Sequence, residues 1–350
     1  MNAPTDTRLL ELFGIELPVI QAPMAGATTP AMVIAVSEAG GLGSLPAAMY
    51  SAAQFRQALD EVRSATRRPI NVNFFCHAPP MEQSLRQLAW RRRLAPYYAE
   101  AGLDPEMPLE SGGRVPFDDA FCTLVEEYRP EVVSFHFGLP AKPLLERVKR
   151  IGAKVISSAT TVSEASWLGS NGVDAVIAMG AEAGGHRGSF LTEDMSTQVG
   201  TFALVPQIVD AVSVPVIAAG GIADRRGVVA AFALGASAVQ IGTAYLFTPE
   251  ARIKAVHQNA LKSAGRATAI TNVFTGRPAR SLVNRLMSEL GPLADLAPAF
   301  PEAGQALAPL RSDAEAKGRD DFSPLWAGQA FPLARPMSAA QLTRRLAGRV

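Results

Sequence analysis

The sequence predicts a (β/α)8 barrel, the TIM-barrel fold, and three observations support that prediction. Eight short apolar runs rich in valine and isoleucine alternate with longer alanine-rich segments. These runs span roughly 245 residues, close to the usual size of such a barrel. Three of the connections also repeat one strand–helix unit, as in βαβ architecture. A doubly wound open sheet is the alternative; it is weakened because the first strand ends in APMAG, where a dinucleotide-binding sheet would carry GxGxxG.

Continuous apolar runs of this length are typical of strands that are buried on both faces of a parallel sheet. The eight runs are PVIQAPM (18–24), GLGSL (41–45), INVNFF (70–75), VVSFHF (132–137), KVISSAT (154–160), AVIAMG (175–180), VIAAGG (216–221) and AVQIGT (238–243). Eight strands in strand–helix order are the number that closes a (β/α)8 barrel.

The repeated connections carry signals for where their helices begin and end. Each starts with polar residues or a proline, continues as an alanine-rich helix and reaches a glycine before the next strand. Pro30 suits a first helical turn, and Gly40, Gly172 and Gly235 suit the left-handed position that follows a helix. These signals place a helix in each of the three connections.

The barrel prediction leaves two segments outside it. The segment between the third and fourth strands is too long for a simple crossover, so we expect a helical insertion there. After the eighth strand the pattern becomes helical, with Thr248 as the expected N-cap and Pro249 at the first helical position. The predicted organisation is a barrel of residues 1–75 and 129–248, an insertion of residues 76–128, and a C-terminal helical lid of residues 249–350.

Composition and charge exclude several classes of protein. Hydrophobic residues make up 48% and charged residues 19% of the chain, which is typical of a globular protein with a large core. The formal net charge of +1 indicates neither a nucleic-acid nor a membrane partner. The two cysteines give neither a disulfide framework nor metal-ligand spacing. No signal peptide and no apolar window of about 18 residues is found, so we expect a cytoplasmic protein, with a homodimer as the candidate assembly.

Glycines dominate the C-terminal ends of the last strands, and barrels of this kind bind ligands at that end. Phosphate groups commonly sit after the seventh and eighth strands, where main-chain N–H groups in glycine turns supply donors. Gly220, Gly221, Gly242 and Thr243 therefore predict a phosphate site, with Asp224 able to cap the helix that follows. The alternative is a pair of ordinary strand-to-helix turns.

Residues at two further strand ends are suited to contact a flat ring system. Pro23 fixes the chain after the first strand, and Met24 offers a polarizable side chain that can lie against a ring system. The amide of Asn73, on the third strand, can contact both donors and acceptors on a ring edge. A core methionine and a structural asparagine are the alternatives.

The histidines are the candidates for acid–base chemistry. His186 stands in GAEAGGHRGSF at the end of the sixth strand, where neighbouring glycines let a ligand approach a catalytic imidazole. His136 faces opposite to Phe135 and Phe137 by strand alternation, so it points into the barrel mouth if both phenylalanines pack outward. The alternative is a buried histidine bonded to a neighbour.

Three other polar residues are weaker candidates for the chemistry, and electrostatic help to the site is the alternative for Arg187. We expect Arg187 to point to solvent or to pair with an acid. His77 and His257 are expected to be structural or exposed, and no histidine or cysteine spacing supports a metal site.

Several motifs in order give the sequence a family resemblance. With QAPMAG, NVNFF, VSFHFGLP, AEAGGHRGSF and AAGGI between about residues 14 and 290, and FSPLWAGQA at 322–330, the chain resembles the class I nitronate monooxygenases, formerly called 2-nitropropane dioxygenases. The resemblance implies a barrel that binds FMN non-covalently. It also implies that alkyl nitronates, with neutral nitroalkanes as further candidates, are oxidised by O2 to a carbonyl compound and nitrite.

The same resemblance implies roles for individual residues. His186 would be the active-site histidine, and His136 a second polar group beside the substrate. One position departs from the family, since Met179 stands where a glutamine is usual. The cofactor-binding residues would be Ala22, Pro23, Met24, Asn73, Met179, Gly184, Gly185, Ala219, Gly220, Gly221, Gln240, Gly242 and Thr243.

Three other functions stay open on the sequence. One is a different FMN barrel, such as an NAD(P)H:quinone reductase or an FMN-dependent enoyl-acyl-carrier-protein reductase. Another is a cofactor-free barrel lyase or isomerase that acts on phosphate esters, and a third is a flavin-binding protein without catalytic activity. Rapid bleaching of a flavin by NADH would identify the first, and a colourless protein the second.

Overall fold

The eight predicted apolar runs form one parallel sheet that curves into a nearly closed barrel. The computed structural model describes residues 6–79, 84–109 and 114–349. Its strands are β1 (Val19–Gln21), β2 (Gly43–Pro46), β3 (Ile70–Phe75), β4 (Val132–His136), β5 (Lys154–Ala159), β6 (Ala175–Met179), β7 (Gly185–His186), β8 (Val216–Ala219), β9 (Ala238–Ile241), β10 (Thr268–Thr271) and β11 (Ala279–Leu282). The barrel takes the order β1-β9-β8-β6-β5-β4-β3-β2. The predicted barrel is confirmed, with one of its strands at each predicted run.

The barrel closes between its first two strands. A parallel bridge joins Ile20 to Leu42, and the main-chain N–H of Gln21 donates to the Leu42 carbonyl at 3.0 Å. The buried side chain of Gln21 adds a second link, because the main-chain N–H of Ser44 donates to its Oε1 at 2.9 Å. This closure removes the sheet edges that would otherwise need cover.

Helices surround the barrel and extend beyond it. They are α1 (Arg8–Phe13), α2 (Pro30–Glu38), α3 (Ala52–Ala65), α4 (Ser84–Ala101), α5 (Asp119–Tyr128), α6 (Lys142–Arg150), α7 (Val162–Ser170), α8 (Thr201–Ala211), α9 (Arg225–Ala233), α10 (Ala255–Lys262), α11 (Arg285–Leu290), α12 (Ala308–Ala316) and α13 (Ala339–Leu346). Pro30 opens α2 as predicted. Gly40, Gly172 and Gly235 follow their helices with φ of 93°, 81° and 95°, which confirms the predicted left-handed positions.

The barrel interior is apolar at its lower end and polar towards the mouth. Leu9 and Phe13 of α1 pack with Ile20, Ile156 and Ile217 of the strands, so α1 closes the bottom of the barrel. Above them lies a buried polar layer of Ser44, Asn71, Asn73 and Ser134. The lower barrel is therefore a packed core, and only the mouth can hold a ligand.

The insertion and the C-terminal segment share a second hydrophobic core. Trp90, Leu94 and Tyr98 of α4 pack with residues between 273 and 322, including Phe274 and Leu310. Trp90 Nε1 donates to the Ala303 carbonyl at 3.1 Å, and the Tyr98 hydroxyl to the Ala306 carbonyl at 2.7 Å. The division of the chain at residues 76–128 and 249–350 stays a prediction.

The predicted helix start at Thr248 and Pro249 is wrong. The helix α10 begins only at Ala255, and the residues before it cross the barrel in a non-helical conformation. The main-chain N–H of Arg252 donates to the Ala27 carbonyl at 2.8 Å, and both carboxylate oxygens of Glu250 accept from the Ala339 main-chain N–H at 3.1 Å. These tertiary bonds outweigh the local helix-start signal of a threonine followed by a proline.

A small antiparallel sheet above the barrel was missed by the sequence analysis, which expected helices and loops there. It has the order β10-β11-β7 and pairs His186 with Ala279. The strand β7 comes from the loop after β6, so the C-terminal segment is joined directly to the loop that carries His186. None of the described helices has the length and apolar character of a membrane span.

Candidate active site

One cavity of about 370 Å³ opens at the C-terminal ends of the barrel strands, within the usual size range of ligand pockets. All the residues predicted for the site line this cavity. They are Ala22, Pro23, Met24, Asn73, His136, Met179, Gly184, Gly185, His186, Ala219, Gly220, Gly221, Gln240, Gly242 and Thr243. The structure therefore brings the predicted strand ends together around one cavity, while the role of each residue stays a prediction.

The glycine-lined end of the cavity lies after β8 and β9. Gly220 and Gly221 have φ of 108° and 70°, a conformation that side chains other than glycine rarely adopt. A Cβ on Gly220 would come within 3.0 Å of the Ala183 main-chain nitrogen. Asp224 caps α9 as predicted, accepting from the Arg226 main-chain N–H at 2.9 Å. This end can therefore present main-chain atoms to an anionic group.

Asn73 presents an acceptor to the cavity. Its Nδ2 donates to the Ser134 carbonyl at 3.2 Å and to the Ser134 hydroxyl at 2.9 Å. The carbonyl fixes the orientation of the amide, because only the NH2 group can bond to it. With both N–H groups used in this way, Oδ1 is the atom left for a ligand.

Buried atoms in the lining that have no hydrogen-bond partner within the described part of the chain include Oε1 of Gln240, on β9, and Nε2 of His257, on α10. Burial lowers the pKa of His257 to about 4. His257, which was expected to be structural or exposed, is buried in the cavity wall, and a structural role stays a prediction. Unpartnered buried polar atoms are costly, so both atoms fit a site that is completed by a ligand.

His186 lies in an aromatic surrounding at the other end of the cavity. Its ring centroid is 5.2 Å from that of Trp326, 5.3 Å from Phe300 and 6.2 Å from Phe75. Burial, and then the positive charge of Arg114, hold the pKa of His186 well below its ordinary value. The imidazole is therefore neutral at neutral pH, and it cannot serve as a counter-charge.

The hydrogen bond of His186 to Thr275 allows its tautomer to be assigned. Its Nε2 lies 2.9 Å from the Thr275 hydroxyl, which itself lies 3.4 Å from the Arg277 carbonyl. We assign the hydrogen to Nε2, because a hydroxyl that donates to the carbonyl can only accept from the ring. In this tautomer the lone pair belongs to Nδ1, which is then the ring atom able to accept a proton.

His136 supports the loop of His186. Its Nε2 lies 3.1 Å from the His186 carbonyl, so Nε2 carries the hydrogen, and its Nδ1 lies 3.1 Å from the Ser158 hydroxyl. Burial lowers the pKa of His136 to about 4. The expected outward packing holds for Phe135 and is wrong for Phe137, which turns into the left-handed region at φ 71° and packs at the mouth with Phe75.

Arg187 is completely buried, which corrects the expectation of a solvent-facing or acid-paired side chain. It donates to the carbonyls of Met179 and Gly180, both at 2.7 Å, and to Gln198 Oε1 at 2.8 Å. Burial, and then the charge of Arg280, lower the pKa of Arg187 to about 10. No pattern in the sequence indicates this burial, because two of the three partners are main-chain carbonyl groups that any residue carries.

Several residues that were not predicted reach the cavity from outside the barrel strands. Arg114 comes from the segment between β3 and β4, and Trp326 and Arg311 come from the C-terminal segment. Trp326 stands in FSPLWAGQA, so the resemblance could have pointed to it. Glu182, within the His186 loop, also lines the cavity and binds the N-terminus of α8 through the Thr201 main-chain N–H at 2.8 Å.

Because the buried histidines are neutral, the free energy of unfolding decreases when the pH is lowered. The pKa of His136 is about 4 in the folded chain and about 6.5 when unfolded. The unfolded state therefore binds more protons between these values, and the free energy of unfolding decreases as pH falls from about 6.5 to 4. Urea titrations at several pH values measure the free energy of unfolding. In His136→Gln this free energy should decrease less steeply as the pH falls than in the unchanged protein, with a slope smaller by up to one proton. An unchanged slope would contradict a neutral, buried His136.

Comparisons with known proteins agree with this geometry. A family model described as nitronate monooxygenase matches residues 6–348. A nitronate monooxygenase from Pseudomonas aeruginosa is 43% identical over 97% of this chain and 97% of its own length. The solved nitroalkane oxidase from Streptomyces ansochromogenes has a TM-score of 0.88 and 39% identity, covering 97% of each chain. FabK from Thermotoga maritima has a TM-score of 0.72 and 31% identity, covering 98% of this chain and 95% of its own. The chain belongs to the nitronate monooxygenase family of oxidoreductases.

Proposed function

We propose that this protein oxidises alkyl nitronates with O2 to a carbonyl compound and nitrite, using FMN as its cofactor. The observation that carries the proposal is the cavity at the C-terminal ends of the strands. It joins a glycine-lined end suited to a phosphate with an apolar end that holds the neutral base His186. The reductase alternative is not favoured, because similarity to the nitroalkane oxidase exceeds similarity to FabK in both fold and sequence. Cytoplasmic location and a homodimer remain predictions from the sequence.

The residues present fit FMN. Main-chain groups at Gly221 and Thr243 would hold the phosphate, and Pro23 and Met24 would lie against the ring. The unpartnered Oε1 of Gln240 would accept from the polar ribityl chain or the ring. Oδ1 of Asn73 would accept from the N–H that an oxidised flavin ring carries. When bound, FMN supplies the redox chemistry that takes electrons from the nitronate to O2.

The protein's own groups bind the substrate and control its proton. A nitronate is already a carbanion equivalent, so its oxidation needs no base. A neutral nitroalkane must first lose a proton from carbon, and Nδ1 of His186 is suited to take it because the ring is neutral and is oriented by Thr275. His136 is a positioning residue, since it holds the His186 carbonyl. Phe75 and Trp326 line the same end and can exclude water from it.

The function is tested by purification and oxygen uptake. We expect a yellow protein with flavin absorbance at about 450 nm. It should consume O2 with propyl-1-nitronate and propyl-2-nitronate and release nitrite. Anaerobic NADH is the control, and it should leave the flavin oxidised. A bound flavin without O2 uptake on either nitronate, or one that NADH bleaches rapidly, would favour the reductases. A colourless protein that binds phosphate esters would favour the lyase or isomerase.

Replacing Asn73 tests its place in the cofactor site. Asn73→Ala removes the acceptor Oδ1 from the cavity, and we expect the Kd for FMN to rise by about tenfold, the loss of one hydrogen bond. Fluorescence titration of the apoprotein with FMN measures this change. Asn71→Ala is the matched control, because Asn71 lies in the polar layer with Ser44 and Ser134 and does not line the cavity. Equal losses of FMN affinity in both variants would mean a general effect on the barrel.

Replacing Thr275 tests the tautomer of His186. Thr275→Val leaves Nε2 without its acceptor, so the ring is no longer held with its lone pair on Nδ1. We expect kcat/KM for 2-nitropropane to fall by about tenfold or more, and for propyl-2-nitronate to change little, because only the nitroalkane needs a base. Nitrogen-15 NMR of the His186 ring gives an independent measure of the tautomer. Thr275→Ser should restore the tautomer and the kcat/KM for 2-nitropropane. An unchanged tautomer in Thr275→Val would refute this role of Thr275.

A further inference from the structure

The neutral histidines His186 and His136 cannot balance the negative charge of the proposed substrate. We propose that Arg114, with Arg311 nearby, binds the negatively charged nitro group of the nitronate at the His186 end of the cavity. This assignment rests on the proposed function and names the residue that selects a nitronate over its neutral nitroalkane.

Arg114 lies beside the proposed reaction site. It lines the same cavity as His186, and its guanidinium carbon is 5.3 Å from the ring centroid of Phe300. The His186 ring centroid is also 5.3 Å from that of Phe300, so both groups contact one aromatic wall. The charge of Arg114 acts on His186 strongly enough to lower its pKa, which supports this proximity.

Within the part of the chain that the structure describes, no group neutralises the guanidinium of Arg114. Among residues 6–79, 84–109 and 114–349, no carboxylate pairs with Arg114 and no acceptor takes a hydrogen bond from its side chain. Other buried arginines differ, since Arg187 donates to the Met179 carbonyl and Arg280 to the Ala181 carbonyl. A half-buried cation without a partner is costly, and binding an anion removes that cost.

Arg311 adds positive charge at this end of the cavity, but it is not the main group that binds the nitro group. It lines the cavity, and its Nε has no hydrogen-bond partner in the described chain. Glu315 lies 3.6 Å from that atom, so the charge of Arg311 is partly balanced. Burial, and then the charge of Arg311, lower the pKa of Arg114 to about 10, which leaves it protonated at neutral pH.

The chemistry of the nitro group matches a guanidinium. A nitronate spreads its negative charge over two oxygens in one plane, and a guanidinium presents paired donors in a plane with the same spacing. Neither His186 nor His136 can supply a charge, because both are neutral. A neutral nitroalkane carries no net charge and gains less from the same contact.

The test compares Arg114→Gln and Arg114→Lys with Arg92→Gln, a matched loss of charge on the exposed side of α4. Oxygen uptake gives KM and kcat for propyl-2-nitronate. Nitrate, a planar and unreactive anion, is the binding probe, measured as a competitive inhibitor and by its effect on the melting temperature. The Kd for FMN and the melting temperature without nitrate are measured for every variant.

We expect Arg114→Gln to raise KM for the nitronate and Ki for nitrate by about tenfold or more, with kcat within about threefold and the Kd for FMN unchanged. Arg114→Lys should recover part of both losses, and Arg92→Gln should equal the unchanged protein. An unchanged KM would overturn the proposal. So would a parallel rise in the Kd for FMN, because Arg114 would then belong to the cofactor site.

Failure of the proposed function is distinguishable from failure of this inference. A protein that does not oxidise nitronates refutes the function, and nitrate still tests the anion site through thermal stabilisation. Stabilisation of the unchanged protein and of Arg92→Gln, but not of Arg114→Gln, supports an anion site at Arg114. Equal stabilisation of all three overturns it.

Discussion

The buried guanidinium of Arg187 is the constraint on which the site depends. It binds the carbonyls of Met179 and Gly180, the residues at which β6 ends, and so folds the loop back onto its own strand. Its main-chain N–H donates to the Pro278 carbonyl at 2.8 Å, beside the pairing of His186 with Ala279. One residue thus joins the barrel to the C-terminal segment at the point where His186 is presented. The glycines of the loop permit this close approach, since a Cβ on Gly184 would lie 2.5 Å from the Gly328 nitrogen.

Desolvation then determines which side chains in the cavity are neutral and which are charged. The aromatic rings around His186 make a protonated imidazole unfavourable, so histidine can act as a base but not as a positive charge. An arginine keeps its charge under burial that neutralises a histidine, because its ordinary pKa is about six units higher. The same cavity can therefore hold a neutral base and a cation side by side.

The sequence predicted those parts of the fold and the site that local pattern determines. Apolar runs and glycine caps are local signals, so the eight strands and positions such as Gly172 were predictable. Strand ends meet at one mouth in any such barrel, which placed Asn73 and Gln240 together without knowledge of their contacts. The pairing of β7 with β11 depends on residues far apart in the chain, and nothing local marks a strand of four residues such as β11. The burial of Arg187 was likewise hidden, because its partners are main-chain carbonyls.

The cavity is built from two sources, and this division has a functional meaning. The end proposed for the cofactor comes from Asn73 on β3 and from Gly220 and Gly242, which directly follow β8 and β9. The end proposed for the substrate also depends on residues outside the strands, namely Arg114, Thr275 and Trp326. Because the barrel strands are fixed by packing on both faces, the residues at the cofactor end can change little without loss of the core. The second set lies on connecting segments that the barrel does not constrain, so a change of substrate within this architecture can arise there while the cofactor end stays intact.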